Sequence, residues 1–324
     1  MTTFDQITSP IKNHLQEFEP YFKEAVKSNI PMLDKVLHYI IRRKGKQMRP
    51  IMIFLAAGLT GDITEKAYHG AITIELLHSA TLVHDDVVDD SFQRRGAFSI
   101  NALWRNKIAV LVGDFILGKG MTWCIEKREY KFLELISEAV SSMSEGEIIQ
   151  IDKARKLDIT REVYFDIIEK KTASLLACSA AIGAASNTDD DEIINTLKQL
   201  GRDIGIAFQI KDDILDYKQS NVIGKPSGND LRERKITLPM IYALENCNKK
   251  EKKRTLKLLM KKKKTSDDIQ VLTEFVISKN GLVHAEKEMM KFTEKAIQTL
   301  NTFPESPYSN ALNHYIDFVT QRNK

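Results

Sequence analysis

The sequence predicts an all-α fold, and three observations carry that prediction. Gly and Pro are sparse and scattered, with 15 and 8 copies in 324 residues. Long stretches place apolar residues three and four positions apart, which is the spacing of one helix face. No run of short strands separated by turn dipeptides appears. With 43% hydrophobic residues the chain can bury a large core, so we expect a single helical domain over residues 1–324.

Each predicted helix is a stretch in which this spacing persists between turn-forming residues. The longest segment without this helical spacing lies between Lys218 and Pro239. That basic, Gly-containing segment has the composition of a loop, and its place after an acidic helix predicts phosphate binding. The predicted helices cover Phe4–Ser28, Met32–Arg42, Arg49–Ala57, Glu65–Asp90, Ile100–Lys127, Glu129–Lys153, Arg161–Ala184, Asp191–Tyr217, Leu238–Asn246, most of Lys249–Thr302 with breaks, and Tyr308–Asn323.

The N-terminus and the cysteines indicate a cytoplasmic protein. The first residues lack a basic start followed by an apolar core, and no segment approaches about 18 uninterrupted apolar residues. We therefore expect a chain that is neither exported nor membrane-spanning. Cys124, Cys178 and Cys247 are odd in number and widely separated, which is typical of reduced thiols that pack in a core.

Two acidic clusters with the sequences HDDVVDD and KDDILDY repeat the spacing Asp-Asp-x-x-Asp on separate predicted helices. Positions i and i+4 share a helix face, so Asp85 pairs with Asp89 and Asp212 pairs with Asp216. One such pair alone is usually a solvated helix face. Two matching pairs after apolar stretches instead predict bound cations, because like charges this close repel each other. Oxygen ligands without thiolates or clustered imidazoles favour magnesium.

Basic side chains accompany both aspartate clusters in the sequence. Salt bridges alone would explain any single one of them. A diphosphate explains the set better, because magnesium would bridge carboxylates to phosphate while Arg or Lys neutralises the remaining oxygens. His78 lies seven residues, about two helical turns, before Asp85 on the same predicted face. The cations are Arg42, Arg43, Lys44, Lys46, Arg49, Arg94, Arg95, Lys170, Lys171, Lys225, Arg232, Arg234 and Lys235.

Positive charge is concentrated in one run, Lys249–Lys264. The run holds ten basic residues and one acid, or +9, whereas the whole chain carries +4, so the rest of the chain carries −5. Such runs are usually solvated helix ends. The alternative is peripheral contact with anionic lipid headgroups, where each basic residue contributes about 1 kcal/mol. Nucleic acid is not expected as a partner, because no aromatic stacking residues are interleaved with the lysines.

In the order and spacing of its motifs the chain resembles the trans-polyprenyl diphosphate synthases over nearly its whole length. Its GKQMRP resembles the GKxxRP motif of that family, and LVHDDVVDDSFQRRG and FQIKDDILD resemble its two aspartate-rich motifs. Three positions depart from the pattern, since Lys44 stands where a second Gly is common, Gln47 where an Arg is common and Arg234 where a Gly is usual. The other landmarks are GDF at 113–115, EGEIIQ at 145–150, KT at 171–172, GKPSGND at 224–230 and KITLP at 235–239.

The resemblance implies a bundle of roughly a dozen helices around a deep central cavity, usually in a homodimer. It implies a magnesium-dependent prenyltransferase that binds about three ions together with diphosphate. By position, catalytic roles fall on Asp85, Asp86, Asp89, Lys171, Asp212 and Asp213, with Asp85, Asp89, Asp212 and Asp216 as metal ligands. Isopentenyl diphosphate would contact Lys46, Arg49, His78 and Arg95, and the allylic diphosphate Arg94, Lys171, Thr172, Gln209, Lys225 and Lys235.

The implied reaction ionises an allylic diphosphate and joins the resulting cation to isopentenyl diphosphate. Cationic groups stabilise the departing diphosphate, whose charge develops in the transition state. The double bond of isopentenyl diphosphate attacks the allylic cation, and proton loss gives an allylic product one isoprene unit longer. Water would capture the cation, so an apolar cavity that the segment Lys218–Pro239 closes suits this chemistry.

Small side chains before the first aspartate cluster predict a long product. One helical turn rises about 5.4 Å, close to one extended isoprene unit, and Ala80 and Thr81 are too small to block a tunnel along the helix. The twenty residues from Asp85 back to Glu65 span about 30 Å, or around six units. We expect about thirty to fifty carbons, as in quinone side chains. The floor would come from Leu76, Leu77, Phe115, Ile116 or Met121.

Four alternatives differ in what they require of the sequence. A farnesyl or geranylgeranyl diphosphate synthase would need a tunnel closed early. A non-catalytic partner subunit of a heteromeric synthase would have no reason to keep both aspartate clusters and their cations. A metal-dependent phosphohydrolase would need several histidine ligands, yet the chain has seven His in all and none in the second cluster. A terpene cyclase would not need Lys46, Arg49 and His78.

Overall fold

A computed structural model describes residues 3–42, 45–94, 96–156, 158–219 and 228–322 of the chain. These ranges are almost entirely helical, which confirms the all-α prediction. The helices are α1 (Thr3–Thr8), α2 (Lys12–Ala25), α3 (Pro31–Ile41), α4 (Met48–Thr60), α5 (Glu65–Val88), α6 (Ile100–Glu126), α7 (Tyr130–Lys156), α8 (Arg161–Ile168), α9 (Ser174–Ala185), α10 (Asp191–Gln219), α11 (Asn229–Arg232), α12 (Leu238–Glu245), α13 (Lys249–Leu259), α14 (Ser266–Ser278), α15 (Gly281–Leu300) and α16 (Pro307–Gln321).

Two helices that the periodicity predicts as continuous are interrupted. A 3-10 turn at Ser9–Ile11 separates α1 from α2, because Pro10 has no amide hydrogen for a regular helical bond. A π-helical turn at Glu169–Ala173, here called the π-turn, separates α8 from α9. The 3-10 turn has three residues and the π-turn five, so both are too short to show in an apolar pattern that is read over about 11 to 18 residues.

The loop predicted between Lys218 and Pro239 is shorter than expected within the described residues. Helix α10 continues to Gln219, and α11 occupies Asn229–Arg232. Residues 220–227 lie outside the described ranges.

A short antiparallel hairpin follows α5 and was not predicted. Its strands are β1 (Gln93–Arg94) and β2 (Ala97–Phe98), with Gln93 paired to Phe98 and Arg94 to Ala97. Two-residue strands are too short to produce a readable alternation of apolar and polar residues. The hairpin fixes the direction in which the chain returns from α5 to α6.

The helices group into two compact units, which we describe separately. The first contains residues 1–138, 178–198 and 304–312; there α5 packs along α6 and against α4, which is buried from Pro50 to Ala57. The second contains residues 139–177, 199–303 and 313–324, and Ile210, Ile214, Leu238 and Val276 lie in its core. The expectation of one domain over the whole chain stays a prediction.

Helix α6 is unusually apolar. Among the described helices it alone has the length and hydropathy that a membrane crossing requires, with a mean hydropathy of 1.6 over 18 residues. Core helices of soluble proteins reach the same values, and α6 packs along α5. Only a third of the apolar window is buried, at 33%. The exposed stripe on α6 contains Val110, Leu111, Met121 and Ile125, which fall within about 100° of the helix surface.

Candidate active site

The first aspartate cluster, Asp85, Asp86 and Asp89, lies at the C-terminal end of α5. Asp85 is half-buried and Asp89 is exposed. Asp89 is the C-cap residue, and its backbone N–H donates to the Asp85 carbonyl at 2.8 Å. The C-terminal end of a helix carries partial negative charge, so the helix itself favours a cation beside these two carboxylates.

Asp86 faces the protein interior and holds the hairpin. Its side chain is buried, and its Oδ1 atom accepts a hydrogen bond from Nε of Arg94 at 2.7 Å. Asn101 donates from Nδ2 to the Asp86 carbonyl at 3.1 Å. The hairpin therefore brings Arg94 to the first aspartate cluster, and its role in diphosphate binding stays a prediction. Arg95 lies outside the described residues.

His84 points toward α6. Its Nε2 atom lies 3.3 Å from Oδ1 of Asp114 and 3.3 Å from the carbonyl oxygen of Val110. The imidazole thus belongs to a contact between two helices.

The amino end of α4 combines several groups that attract anions. Lys46 is exposed just before the helix, and Arg49 is half-buried in its first turn. Gln47 caps the helix in the left-handed conformation at φ 51°, and its Nε2 amide is buried with no hydrogen-bond partner among the described residues. A helix amino end binds anions through its free N–H groups and its dipole. His78 is half-buried on α5, which packs against α4.

The residues predicted to set product length lie on α5 but differ in burial. Leu77 and Ala80 are buried in the core, at 2% and 1% exposure. Thr81 is half-buried, and its hydroxyl donates to the carbonyl of His78 at 2.9 Å. Ala80 precedes Asp85 by five residues and so points about 140° away from it around the helix. A role in product length stays a prediction for all three.

In the second aspartate cluster, Asp212, Asp213 and Asp216, the first carboxylate is held by the end of the chain. Arg322 donates from Nη2 to Oδ1 of Asp212 at 2.5 Å. The guanidinium carbon lies 4.1 Å from the ring centroid of Phe208. Burial raises the pKa of Asp212 above its ordinary value, and the positive charge of Arg322 opposes that shift. Arg322 is 110 residues away in sequence, and no pattern pointed to it.

Asp213 is buried within a chain of hydrogen bonds. The hydroxyl of Tyr164 donates to its Oδ2 atom at 2.6 Å, and Nε2 of Gln209 donates to its Oδ1 atom at 2.8 Å. Thr172 donates in turn to Oε1 of Gln209 at 2.9 Å. Burial raises the pKa of Asp213 well above its ordinary value, and the negative charge of Asp230 adds to this. The bonds connect α8, the π-turn and α10.

Asp216 caps the amino end of α11. Its carboxylate accepts the backbone N–H groups of Asn229 at 3.2 Å and Asp230 at 3.3 Å. Burial raises the pKa of Asp216, and these two donors oppose the shift. Burial, followed by the charge of Asp216, raises the pKa of Asp230 to about 6. Asp230 is part of the GKPSGND motif, but the motif alone does not show that this side chain lies close to the carboxylate of Asp216.

The π-turn presents Lys171 and is confined from two sides. A Cβ atom added to Gly146 on α7 would lie 2.9 Å from the backbone nitrogen of Lys171. One added to Gly205 on α10 would lie 2.6 Å from the Cα atom of Ala173. The ammonium group of Lys171 pairs with the carboxylate of Glu147, a residue of the EGEIIQ motif. Such turns are frequent at functional sites because the extra residue re-aims a side chain.

A cavity of the second unit is lined by several of the polar groups around Asp213 and the π-turn. Lys235 lies at its edge, with its ammonium group 2.6 Å from Oε2 of Glu233. Arg234, which stands where the family usually has Gly, adopts the left-handed conformation at φ 63°. An anionic group with an apolar chain would match this mixed lining. The cavity is lined by Gln150, Tyr164, Lys171, Thr172, Gln209, Asp213, Asp230, Lys235 and Thr237 on the polar side and by Ala154, Ile159, Ile167, Ile168 and Ile236 on the apolar side. Lys225 lies outside the described residues.

The donor atoms of both aspartate clusters fit magnesium. They are carboxylate oxygens, which this cation prefers, and Asp85 and Asp89 stand at the favourable end of a helix. Across the described ranges, however, no three acidic, His or Cys side chains already converge on one point. Magnesium sites of this kind use one or two carboxylates together with substrate phosphates, so convergence before substrate binds is not required.

Comparison with known proteins agrees with the fold and with the family resemblance of the motifs. Residues 30–276 match the family model for polyprenyl synthetase. The chain is 36% identical over 308 residues to an all-trans-nonaprenyl-diphosphate synthase (geranyl-diphosphate specific) of Rhodobacter capsulatus, covering 94% of each. It is 33% identical to a geranylgeranyl diphosphate synthase of Saccharolobus solfataricus over 315 residues, covering 93% of this chain and 94% of the relative.

A solved structure shows the same fold. The polyprenyl synthase of Caulobacter crescentus, crystallised with calcium and isoprenyl diphosphate, superimposes with a TM-score of 0.91 at 30% identity, covering 99% of this chain and 98% of that one. The resemblance inferred from the motifs is therefore confirmed. The chain belongs to the polyprenyl synthetase family of trans-prenyltransferases.

Proposed function

We propose that this chain joins isopentenyl diphosphate to an allylic diphosphate and releases an all-trans polyprenyl diphosphate of about thirty to fifty carbons. The observation that carries the proposal is the presence of two anion sites of different character. One is the cavity of the second unit, where Lys171 and Lys235 accompany carboxylates. The other is the amino end of α4, where Lys46 and Arg49 stand without an adjoining acidic cluster in the sequence.

The carboxylate-containing site suits the allylic substrate. Lys171 and Lys235 would neutralise phosphate oxygens, and Arg94 would do so beside the first aspartate cluster. About three magnesium ions, once bound by Asp85, Asp89 and the second aspartate cluster, would supply the electrostatic stabilisation of the departing diphosphate. The isoleucine side chains of the cavity would keep water from the allylic group.

The amino end of α4 suits isopentenyl diphosphate. This substrate keeps its diphosphate through the reaction, so its site has to bind and orient the molecule without assisting the departure of a leaving group. Lys46 and Arg49 would supply the charge, and the buried amide of Gln47 a hydrogen-bond donor. Gln47 thereby takes the position where an Arg is common in the family.

The proposed product length rests on α5. Asp85 lies twenty residues from the start of the helix at Glu65, which is about 30 Å of uninterrupted helix. Thr81 is half-buried on this helix and is small, whereas an aromatic ring at this position would close a tunnel along it. The two relatives named above differ in their printed products, so length has to be measured on this chain.

We also propose a homodimer, in which the exposed apolar stripe of α6 meets a second copy of the chain. Val110, Leu111, Met121 and Ile125 are between 40% and 56% exposed, so their burial would be favourable. Light scattering after size exclusion should give twice the monomer mass. L111K/M121K should shift the protein toward monomer, while V271K/I277K on α14 should not.

The test of function is incubation with isopentenyl diphosphate, magnesium and either geranyl or farnesyl diphosphate, followed by chromatographic sizing of the products. We expect a product of about thirty to fifty carbons that disappears with a chelator and with Asp85→Asn. Thr81→Phe should shorten it. A product of fifteen or twenty carbons would instead identify a short-chain synthase. No incorporation by folded protein with either primer would identify a partner subunit.

A further inference from the structure

The basic run Lys249–Lys264 forms a rigid helix and the turn that follows it. Helix α13 begins with a capping box, in which Oδ1 of Asn248 accepts the N–H of Glu251 at 2.9 Å and the Glu251 carboxylate accepts the N–H of Asn248 at 3.0 Å. Thr255 and Leu259 anchor its inner side. The run therefore has a defined inner and outer face.

The outer face of α13 carries basic residues and one apolar side chain. At about 100° per residue, the exposed positions apart from Lys252 fall within about 140° of the helix surface. The single acid of the run, Glu251, lies on the inner side, where its carboxylate binds the ammonium group of Lys279 at 2.9 Å. Met260, at the end of the helix, is 64% exposed. The outer face consists of Lys249, Lys250, Lys253, Arg254, Lys257 and Met260.

The charge on this face is not compensated by the protein. Within the described ranges the five basic side chains of the outer face form no ion pair. The turn after α13 adds exposed Lys262 and Lys263, while Lys261 pairs with Asp268 at 2.7 Å. Like charges so close together repel each other, and an external anionic surface would relieve that repulsion.

We propose that the outer face of α13 docks on an anionic lipid bilayer, with Met260 inserted among the headgroups. A continuous basic stripe with an apolar side chain is the pattern of helices that lie at a membrane surface. Single-stranded nucleic acid would require aromatic side chains for stacking, and this face has none.

The docking surface is joined to the candidate active site within the second unit. Nη1 of Arg232 lies 3.5 Å from the carbonyl oxygen of Lys264, at the end of the basic run. Ile269 of α14 packs so closely on Gly228 that an added Cβ would lie 2.6 Å from its Cγ2 atom. Both contacts reach the segment that carries Asp230. The benefit of docking this site on a bilayer rests on the proposed function, since a product with a long apolar chain needs a lipid phase.

The test is sedimentation with phosphatidylcholine vesicles that contain 0 or about 30% phosphatidylglycerol, at low and high salt. We expect binding to the anionic vesicles alone, weakened by salt. K253Q/K257Q/K262Q should lower the partition coefficient about 100-fold, because each charge contributes about 1 kcal/mol, or about fivefold. M260Q should lower it about tenfold.

The matched control is K12Q/K35Q/K66Q, which removes three exposed charges from the first unit and should leave binding unchanged. The Asp85→Asn variant should also bind vesicles normally, so failure of the proposed catalytic function would not hide the result. Equal binding by the outer-face and control triples would overturn the proposal. So would the absence of vesicle binding, or tighter binding of an RNA oligonucleotide than of anionic vesicles.

Discussion

Replacement of Asp230 by Asn should stabilise the metal-free protein, and the gain should depend on pH. Burial and the charge of Asp216 raise the pKa of Asp230 to about 6 from an ordinary value of 3.8. That difference corresponds to about 3 kcal/mol, the free energy needed to ionise this half-buried carboxyl. An amide still has to be desolvated, so we expect Asp230→Asn to recover about 2 kcal/mol of it.

The sign of the pH dependence follows from the raised pKa. The folded protein holds the proton more tightly than the unfolded chain, so this carboxyl does not destabilise the fold below pH 3.8. Its penalty develops as pH rises and is complete above about pH 6. The difference between variant and wild type should therefore be small at pH 4 and about 2 kcal/mol at pH 8.

Urea unfolding with a chelator present measures this difference. The control is Asp62→Asn, at an exposed position in the first unit, which should change the free energy of unfolding little at either pH. The reasoning would be refuted if Asp230→Asn destabilised the protein at pH 8, or if its effect were the same at pH 4 and pH 8.

Three further predictions concern the aspartate clusters and the π-turn. Arg322→Ala should raise the affinity for Mn²⁺ in the absence of substrate about fivefold, since the guanidinium competes for Asp212; a calorimetric titration that shows weaker binding would contradict this. Asp212→Asn should lower turnover about 100- to 1000-fold while isopentenyl diphosphate still binds. Loss of that binding would contradict the assignment of Asp212 to the allylic site. Gly146→Ala should cost about 1–3 kcal/mol in urea unfolding and reduce product formation, because its Cβ meets the backbone of Lys171 at 2.9 Å. Gly120→Ala on α6 is its control and should be neutral or stabilising, because its added Cβ would lie at an ordinary contact distance of 3.6 Å from Cβ of Leu76.

The helices and the aspartate clusters could be predicted because both depend on local spacing. Apolar residues at three- and four-residue intervals place α5 within two residues of its observed end, and the i, i+4 rule puts Asp85 and Asp89 on one face. The π-turn at Lys171 could not be predicted this way. It depends on contacts with Gly146 and Gly205, whose absent side chains leave no local signal.

The partners of the second aspartate cluster could not be predicted either, because they lie far away in the sequence. Arg322 reaches Asp212 across 110 residues, and Tyr164 reaches Asp213 across 49. A lone Arg near a chain end or a Tyr in an apolar helix has many possible partners. Gln47 and Arg234 are different, since their departure from the family pattern was visible, and both occupy left-handed positions.

All three carboxylates of the second aspartate cluster already form hydrogen bonds or ion pairs within the protein. Arg322 holds Asp212, Tyr164 and Gln209 hold Asp213, and two backbone amides hold Asp216. A cation that binds here has to replace some of these bonds. Magnesium alone would gain little, because it must also lose part of its hydration.

A magnesium–diphosphate complex gains more, since the phosphate oxygens would at the same time reach Lys171 and Lys235. We therefore expect weak binding of Mn²⁺ alone and strong binding in the presence of inorganic diphosphate. The raised pKa of Asp213 points the same way, since burial favours its neutral form until a cation arrives. Calorimetric titration with each component and then with both measures the coupling, and independent binding of metal and diphosphate would show that the observed hydrogen bonds do not restrain the carboxylates.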